Sequence, residues 1–315
     1  LHFVFDGVGD GNTTSIFRTQ RNDAETLFQQ DFPNSLGLFY SAVTDYCGFL
    51  VNEGEYKLMA LAAFGNPVYY DFLKEHVFNI EVPKFELDMS WFDYDVSPER
   101  SYSDKWVSKF GPPILEGEIN KMTGDSFQRA ADLALSSQLI LEEVINATIE
   151  WGIKKTGVQN ITISGGVAQN SLAICSASKI ASINSLTIPP SPGDSGAAIG
   201  AANFAKMMSG ARSVHCKEIF FGHSQLDFES ALFQDMFCLE KSFSNMDQML
   251  DDLISSGEIM CCYFGGNEIG PRALCNRSII CAANNKKSVR ALNLEIKKRE
   301  GFRPLAPVML RPVAE

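Results

Sequence analysis

Three short apolar runs each end in a glycine-rich turn, and this repeated punctuation constrains the fold more than any other feature of the chain. The first is HFVF, closed by DGVGDG and followed by a returning run, NTTSIF (residues 2–17). The second is NITIS, closed by two glycines and leading into VAQNS (160–171). The third is SLTIP, closed by PSPGDSG and leading into AAIGAANFAKMM (185–208). Short β-branched and aromatic runs between glycine and proline clusters are strand signals. The first turn predicts a hairpin. After the second and third, the apolar spacing changes from two to about 3.6, which predicts strand–helix alternation and an α/β layer.

Other elements follow from the same patterns. LGLFYSAVTDYCGFL (36–50) reads as a helical stretch after the hairpin. A long helix is expected from about Ser126, a candidate cap, to Gly152, with Leu141, Val144 and Ile145 at helical spacing. Residues 70–120 are aromatic and irregular, as in an insertion or a substrate-facing segment. Ser244 is a candidate cap for a helix leading into the apolar run EIMCCYF, expected to be a buried strand, and then into a basic segment. These elements read as a second unit, and 315 residues are enough for two cores.

Composition narrows the class. Hydrophobic residues make up 45% and charged residues 21%, as in ordinary globular proteins. No apolar run is long enough to span a membrane. Eight cysteines without a C-x-x-C pair or regular spacing read as reduced thiols, the pattern of a cytoplasmic protein. The start at Leu1 rather than Met, and the stop at RPVAE without a closing element, read as a piece of a longer chain. A net charge of −11 argues against a nucleic-acid partner. The charge is unevenly spread: residues 266–315 hold ten Lys/Arg against four Glu, a net +6 that leaves −17 for residues 1–265. That segment is either a solvated basic helix, VRALNLEIKKRE, or a site for a small, highly charged anion.

The glycine turns bring acids with them. Asp6 ends the first strand beside a glycine hairpin, and Asp194 sits in the third turn, where capping the next helix is the plainer role. Gly165 and Gly166 allow close backbone approach, and free N–H groups at the following helix start suit phosphate. A carboxylate at a strand end beside a glycine hairpin is also how actin-like and sugar-kinase-like ATPases present an acid to metal and phosphate, though many plain turns look the same.

Taken together, the segments DGVGDGNTTSI, FPNSLGLFYSAVTDYCGF, GEYKLMALAAFGNP, ISGGVAQNS, PPSPGDSGAAIGAA, NEIGPRALCNRSI and LNLEIKKREGFRPLAPVML resemble, in this order, the O-carbamoyltransferases of the NodU type. The likeness spans nearly the whole chain and is weakest over 70–120 and 210–255. It implies an actin-like, ribonuclease H-like domain over 1–215, followed by a YrdC-like carbamoyl phosphate-processing domain over 216–315, each incomplete. It implies a divalent metal, iron(II) in the family, held by Asp6, Asp194 and two histidines of an H-x-x-x-H helix. His2, His76, His215 and His223 contain no such pair, so the resemblance implies that the motif lies upstream of Leu1 and that this chain holds half the metal site.

The remaining roles follow the same resemblance. ATP, and then the adenosine of a carbamoyl-adenylate, would lie near Gly7, Lys57, Gly165, Gly166 and Asn170. Carbamoyl phosphate would be processed by Arg272, Lys297 and Arg303, whose chemistry suits phosphate oxygens. Lys298 and Arg299 are expected on the surface, and Arg277 is either ligand-binding or structural. The acceptor would be a hydroxyl of a sugar or natural product, its carbonyl partner polarised by the metal. The resemblance allows a homodimer. Three positions depart from the family pattern: Cys275 and Ala60 stand where glycine is usual, and Gln169 where leucine is. The first bears on a backbone needing positive φ, and hence on the anion loop. A non-catalytic nucleotide-binding module and an actin-like small-molecule kinase are the alternatives.

Overall fold

The computed structural model describes residues 1–20, 23–119, 124–210, 245–263 and 265–308. The chain divides into two compact units, Leu1–Ala201 and Ala202–Glu315. The boundary expected between 215 and 216 lies outside the described residues, as do His215, His223 and Ser244.

The first unit is built on a five-stranded sheet in the order β3-β2-β1-β6-β7. Its strands are β1 (His2–Phe5), β2 (Asn12–Gln20), β3 (Asp23–Asp31), β6 (Asn160–Ser164) and β7 (Ser185–Thr187). The first three are antiparallel neighbours, whereas β1–β6 and β6–β7 are parallel as strand–helix alternation predicts, so the sheet is mixed. Phe3 and Phe5 of β1, Ile16 of β2, and Ile161 and Ile163 of β6 are buried and form the centre of the core. The expected hairpin gains a third strand, β3, most of whose residues are exposed or half-buried and so give no apolar run.

The helices are α1 (Leu36–Tyr46), α2 (Glu55–Leu61), α3 (Tyr70–His76), α4 (Asp104–Phe110), α5 (Asp125–Thr156), α6 (Ser171–Ala177) and α7 (Ala197–Met208). The long helix α5 differs from its expected limits at both ends. Its N-cap is Gly124 rather than Ser126, with Asp125 in the first turn where the helix dipole favours an acid. It runs through Gly152, because that glycine is a packing position: a Cβ there would lie 2.8 Å from the Phe3 ring. The helix ends instead at Gly157, in the left-handed conformation with φ 71°, whose N–H donates to the Ile153 carbonyl.

The segment 70–120 is folded rather than irregular. Helices α3 and α4 and the ribbon of β4 (Phe78–Glu81) and β5 (Lys84–Leu87) enclose an aromatic sub-core. Trp91, Phe92, Trp106 and Phe110 are buried in it, and the Trp106 and Phe110 ring centroids lie 5.1 Å apart. Aromatic residues packed by ring contact need no regular spacing, which is why no period announces this core.

In the second unit, α8 (Met246–Ser256) is capped by Asn245, whose Oδ1 accepts from the Gln248 N–H at 3.0 Å. The strands β8 (Ile259–Tyr263) and β9 (Arg277–Cys281) form an antiparallel ribbon, with Cys262 opposite Ser278 and Tyr263 opposite Arg277. The apolar run is not fully buried as expected, since Cys262 is buried but Cys261 is exposed. The six described cysteines are free thiols. Helix α9 (Lys286–Ala291) continues into one π turn, Leu292–Ile296, which buries Leu292 and Asn293. The basic segment is therefore anchored on one side. No described helix is long and apolar enough to cross a membrane.

Candidate functional site

The first turn closes through the Asp6 N–H, which donates to the Thr13 carbonyl at 2.9 Å. Gly9 and Gly11 take positive φ values of 52° and 91°, which lets β2 return beside β1. The Asp6 side chain turns back over its own backbone. Its Oδ1 accepts from the Gly7 N–H at 2.8 Å and, across 160 positions, from the Gly166 N–H at 3.4 Å.

The second turn joins β6 to α6 directly beside β1. Gly165 has φ 90° and ψ 168°, a region that only glycine occupies readily. A Cβ there would lie 2.0 Å from the Phe5 carbonyl oxygen. Its N–H donates to the Pro192 carbonyl at 2.7 Å, which ties the third turn to the second. On the same side, a Cβ on Gly193 would lie 3.8 Å from Gly166 Cα and 3.0 Å from Gln169 Nε2. The three turns expected to carry the chemistry therefore meet, with Gly166 between Asp6 and the Gly193–Asp194 peptide. Helix α1 adds a fourth element. Ser35, its N-cap, donates to the Asp6 carbonyl at 3.1 Å, and a Cβ on Gly37 would lie 2.9 Å from the same oxygen. Neither Ser35 nor Gly37 stood out in the sequence, although the N–S–L–G turn before an apolar helix is a readable capping signal.

The structure alters the roles expected of several residues. Asp194 is not an N-cap: Gly193 holds that position, and Asp194 begins a 3-10 turn, Asp194–Gly196, with its side chain exposed. The expectation of free N–H groups at the α6 start is not met by Gly165, and the Gly166 bond to Asp6 is long. Asn170 is a structural linker. It caps α6 through Oδ1, which accepts from Ala173 N–H at 3.0 Å, and it exchanges two amide bonds with Gln138 of α5, at 2.9 and 3.0 Å. Gln138 also accepts from the buried Tyr40 hydroxyl at 2.8 Å, and burial pushes that phenol well above its usual range. Lys57 of α2 is half-buried, its Nζ 5.8 Å from the Phe49 ring centre. Ala60 lies within α2 and has no need of positive φ.

The basic residues of the second unit serve different ends. Arg272 is exposed in the loop before β9, and Lys297 is exposed just after the π turn. Arg303 is mostly buried beside Glu300, 3.5 Å away. Arg277 is structural: its guanidinium lies 3.2 Å from the Tyr263 ring centre and donates to the Asn276 and Gly265 carbonyls. Arg299, expected on the surface, is half-buried and donates to Asn293 at 2.8 Å, while Lys298 is exposed as expected. Cys275 has φ 79°, so the backbone keeps the left-handed conformation without the glycine.

The sequence profile described as Carbamoyltransferase N-terminus matches residues 1–203, and the one described as Carbamoyltransferase C-terminus matches residues 251–315. The chain belongs to the carbamoyltransferase family. Among its relatives, an uncharacterized protein of Synechocystis is 33% identical over 321 residues, covering 97% of this chain and 51% of its own length. The nodulation protein NolNO of Sinorhizobium fredii is 28% identical over 98% of this chain and 44% of its own length. Nodulation protein U of the same organism is 32% identical over 55% of this chain and 29% of its own length. This carbamoyltransferase chain thus spans about half the length of the curated relatives it matches along its whole extent. The junction of glycine turns lies within the N-terminal match and the Arg272 loop within the C-terminal one.

Proposed function

We propose that this chain carries the nucleotide and carbamoyl phosphate sites of an enzyme that transfers a carbamoyl group to a hydroxyl of a small-molecule acceptor. The observation that supports this best is the meeting of three glycine turns at Gly165–Gly166, with the Asp6 carboxylate accepting from Gly166, within the part matched by the carbamoyltransferase N-terminal family. Arg272, Lys297 and Arg303 bind the phosphate of carbamoyl phosphate. Attack of a water on carbamoyl phosphate breaks the bond to phosphate and yields carbamate and inorganic phosphate, and a carbamate oxygen then attacks the α-phosphorus of ATP and expels pyrophosphate. The resulting carbamoyl-adenylate lies against Gly7, Lys57 and Gly166, with Gly165 and Asn170 holding the turn from behind. The acceptor hydroxyl attacks the carbamoyl carbon, and AMP leaves with the bonding electron pair. Excluding water from carbamate and its adenylate protects both from hydrolysis.

A test is carbamoyl-phosphate-dependent exchange of labelled pyrophosphate into ATP by the gene product that contains this chain. ATP binding without exchange would favour a non-catalytic nucleotide module, and transfer of the γ-phosphate to an acceptor would favour a kinase. Arg272→Ala should weaken carbamoyl phosphate binding about tenfold or more, since a hydrogen bond to a charged group contributes roughly 1.5–3 kcal/mol. ATP binding, which we assign to the other unit, should be nearly unchanged in the same titration. Equal losses for both ligands would indicate misfolding, and no loss for either would return Arg272 to the solvated surface.

Asp6 and Asp194 would contribute oxygen ligands to a divalent metal, iron(II) on the family resemblance, which when bound supplies Lewis-acid polarisation of a carbonyl. Among the described residues no group of three or more side chains is suited to a metal ion, so the two carboxylates are a partial donor set. Asp6→Asn keeps an oxygen that can accept from Gly7 and Gly166 while removing the charge. Its urea stability should stay within about 1 kcal/mol of wild type, and Mn²⁺ binding, read by titration calorimetry, should fall. Unchanged Mn²⁺ binding would remove Asp6 from the donor set.

A further inference from the structure

We infer that Glu268 is the positioning residue of the Arg272 loop: its carboxylate holds the backbone that presents Arg272 to an anion, without touching that anion itself. The ligand part of this inference rests on the carbamoyl phosphate reading above; the loop part rests on geometry alone.

One oxygen of Glu268, Oε1, accepts three backbone N–H groups, from Leu274 at 3.0 Å, Asn276 at 2.7 Å and Arg277 at 3.2 Å. Three amides converge there because Cys275, between them, has φ 79° and turns the neighbouring peptides to one side. Such a concave run of N–H groups is an anion nest. Here the anion is the protein's own side chain. Desolvation by the loop pushes the Glu268 carboxyl upward, but the amides of Leu274, Glu268 itself, Asn276 and Arg277 outweigh it and hold the group below the usual glutamate range. It is therefore ionised at neutral pH, when phosphate esters are too.

The rest of the loop is closed by bonds within itself. Asn276 Nδ2 donates to the Gly266 carbonyl at 2.8 Å, and Arg277 Nη2 donates to the Gly265 carbonyl at 3.1 Å. Arg277 is further fixed by its stacking on Tyr263. Arg272, four residues beyond the pinned carboxylate, is exposed in the same loop. A guanidinium on a fixed backbone loses less freedom when it binds an oxyanion, so the pin acts on affinity through Arg272. The filled nest itself repels a second anion.

The test uses Glu268→Ala, Glu268→Gln, Arg272→Ala and the Ala/Ala double variant, titrated with carbamoyl phosphate and with inorganic phosphate. Amide hydrogen exchange is measured across residues 270–278 of the same proteins. Glu268→Ala should lose roughly tenfold in affinity for both anions, while Glu268→Gln, which keeps a carbonyl oxygen for the nest, should lose only about two- to threefold. In the Arg272→Ala background, Glu268→Ala should add almost nothing, as two residues acting through one group require. Exchange at Leu274, Asn276 and Arg277 should accelerate at least about tenfold in Glu268→Ala and less in Glu268→Gln. Tighter phosphate binding by Glu268→Ala would make the emptied nest the anion site and overturn the inference. So would unchanged exchange, or additive losses in the double variant. A wild type that binds neither anion would sink the carbamoyl phosphate reading and Arg272's ligand role, while the exchange rates would still decide whether Glu268 holds the loop.

Discussion

Gly165→Ala is expected to unfold the first unit at urea concentrations where the wild type is still native. Two costs add at this position. With φ 90° and ψ 168°, the backbone is in a region that an L-residue tolerates only with strain, on the order of 1–3 kcal/mol. The added Cβ would also lie 2.0 Å from the Phe5 carbonyl oxygen and 2.6 Å from its carbon. Those atoms cannot yield cheaply, because β1 is hydrogen-bonded to β2 on one side and β6 on the other. A total of roughly 4 kcal/mol or more follows, a large share of the ~5–15 kcal/mol that stabilises a typical domain. Trp91, Trp106 and Trp151, the chain's three tryptophans, all lie in the first unit, so their fluorescence reports its unfolding. Gly166→Ala is the matched control. A Cβ there meets only Asp6 Oδ1, at 3.3 Å, and should cost about 1 kcal/mol or less. Equal urea midpoints for Gly165→Ala and wild type would mean that the second turn does not ride on β1 as closely as described.

The same two glycines show what was legible in the sequence. A glycine pair after a β-branched run marks a place where backbone must pass close to backbone, so the strand before it and the helix after it could be read together. The meeting of the three turns comes from the sheet order rather than from any local pattern, since the parallel neighbours β1, β6 and β7 place their turns at one end of the sheet. What the turns do with their N–H groups was not legible: the partner of Gly165 is Pro192, 27 positions away, and no local pattern encodes it. Strand β3 was missed because the sequence signal of a strand is burial on one face, and little of β3 is buried. The charge excess of the last fifty residues was visible as a sum, yet a sum does not distinguish uses. Arg277 is stacked on Tyr263 and Arg299 is bonded to Asn293, and only placement separates these from exposed Arg272. Glu268 was overlooked for a related reason. A carboxylate that serves backbone amides six to nine positions away leaves no periodic trace.

Trp106→Ala is expected to be the most damaging side-chain truncation in the aromatic sub-core, with Trp106→Phe far milder. Trp106 is fully buried, and its ring centroid lies 5.1 Å from Phe110, 5.5 Å from Tyr46, 6.3 Å from Phe92 and 6.5 Å from Trp91. Removing the indole leaves a cavity lined by rings that three different segments hold in place, so collapse is limited and the loss should be about 3–5 kcal/mol. Phenylalanine also removes volume, but two terms offset that loss. It keeps much of the ring contact, and it deletes Nε1–H, a buried donor that finds no hydrogen-bond partner among the described residues. A buried unsatisfied donor typically costs ~1–3 kcal/mol, similar to the packing lost when an indole shrinks to a phenyl ring. The net change for Trp106→Phe should therefore be about 1 kcal/mol or less, read by near-UV circular dichroism through urea unfolding, since the substitution removes one of the fluorescent probes. If Trp106→Phe proved as damaging as Trp106→Ala, the indole N–H would have to be making a bond, and the sub-core would be held by a polar contact as well as by ring packing.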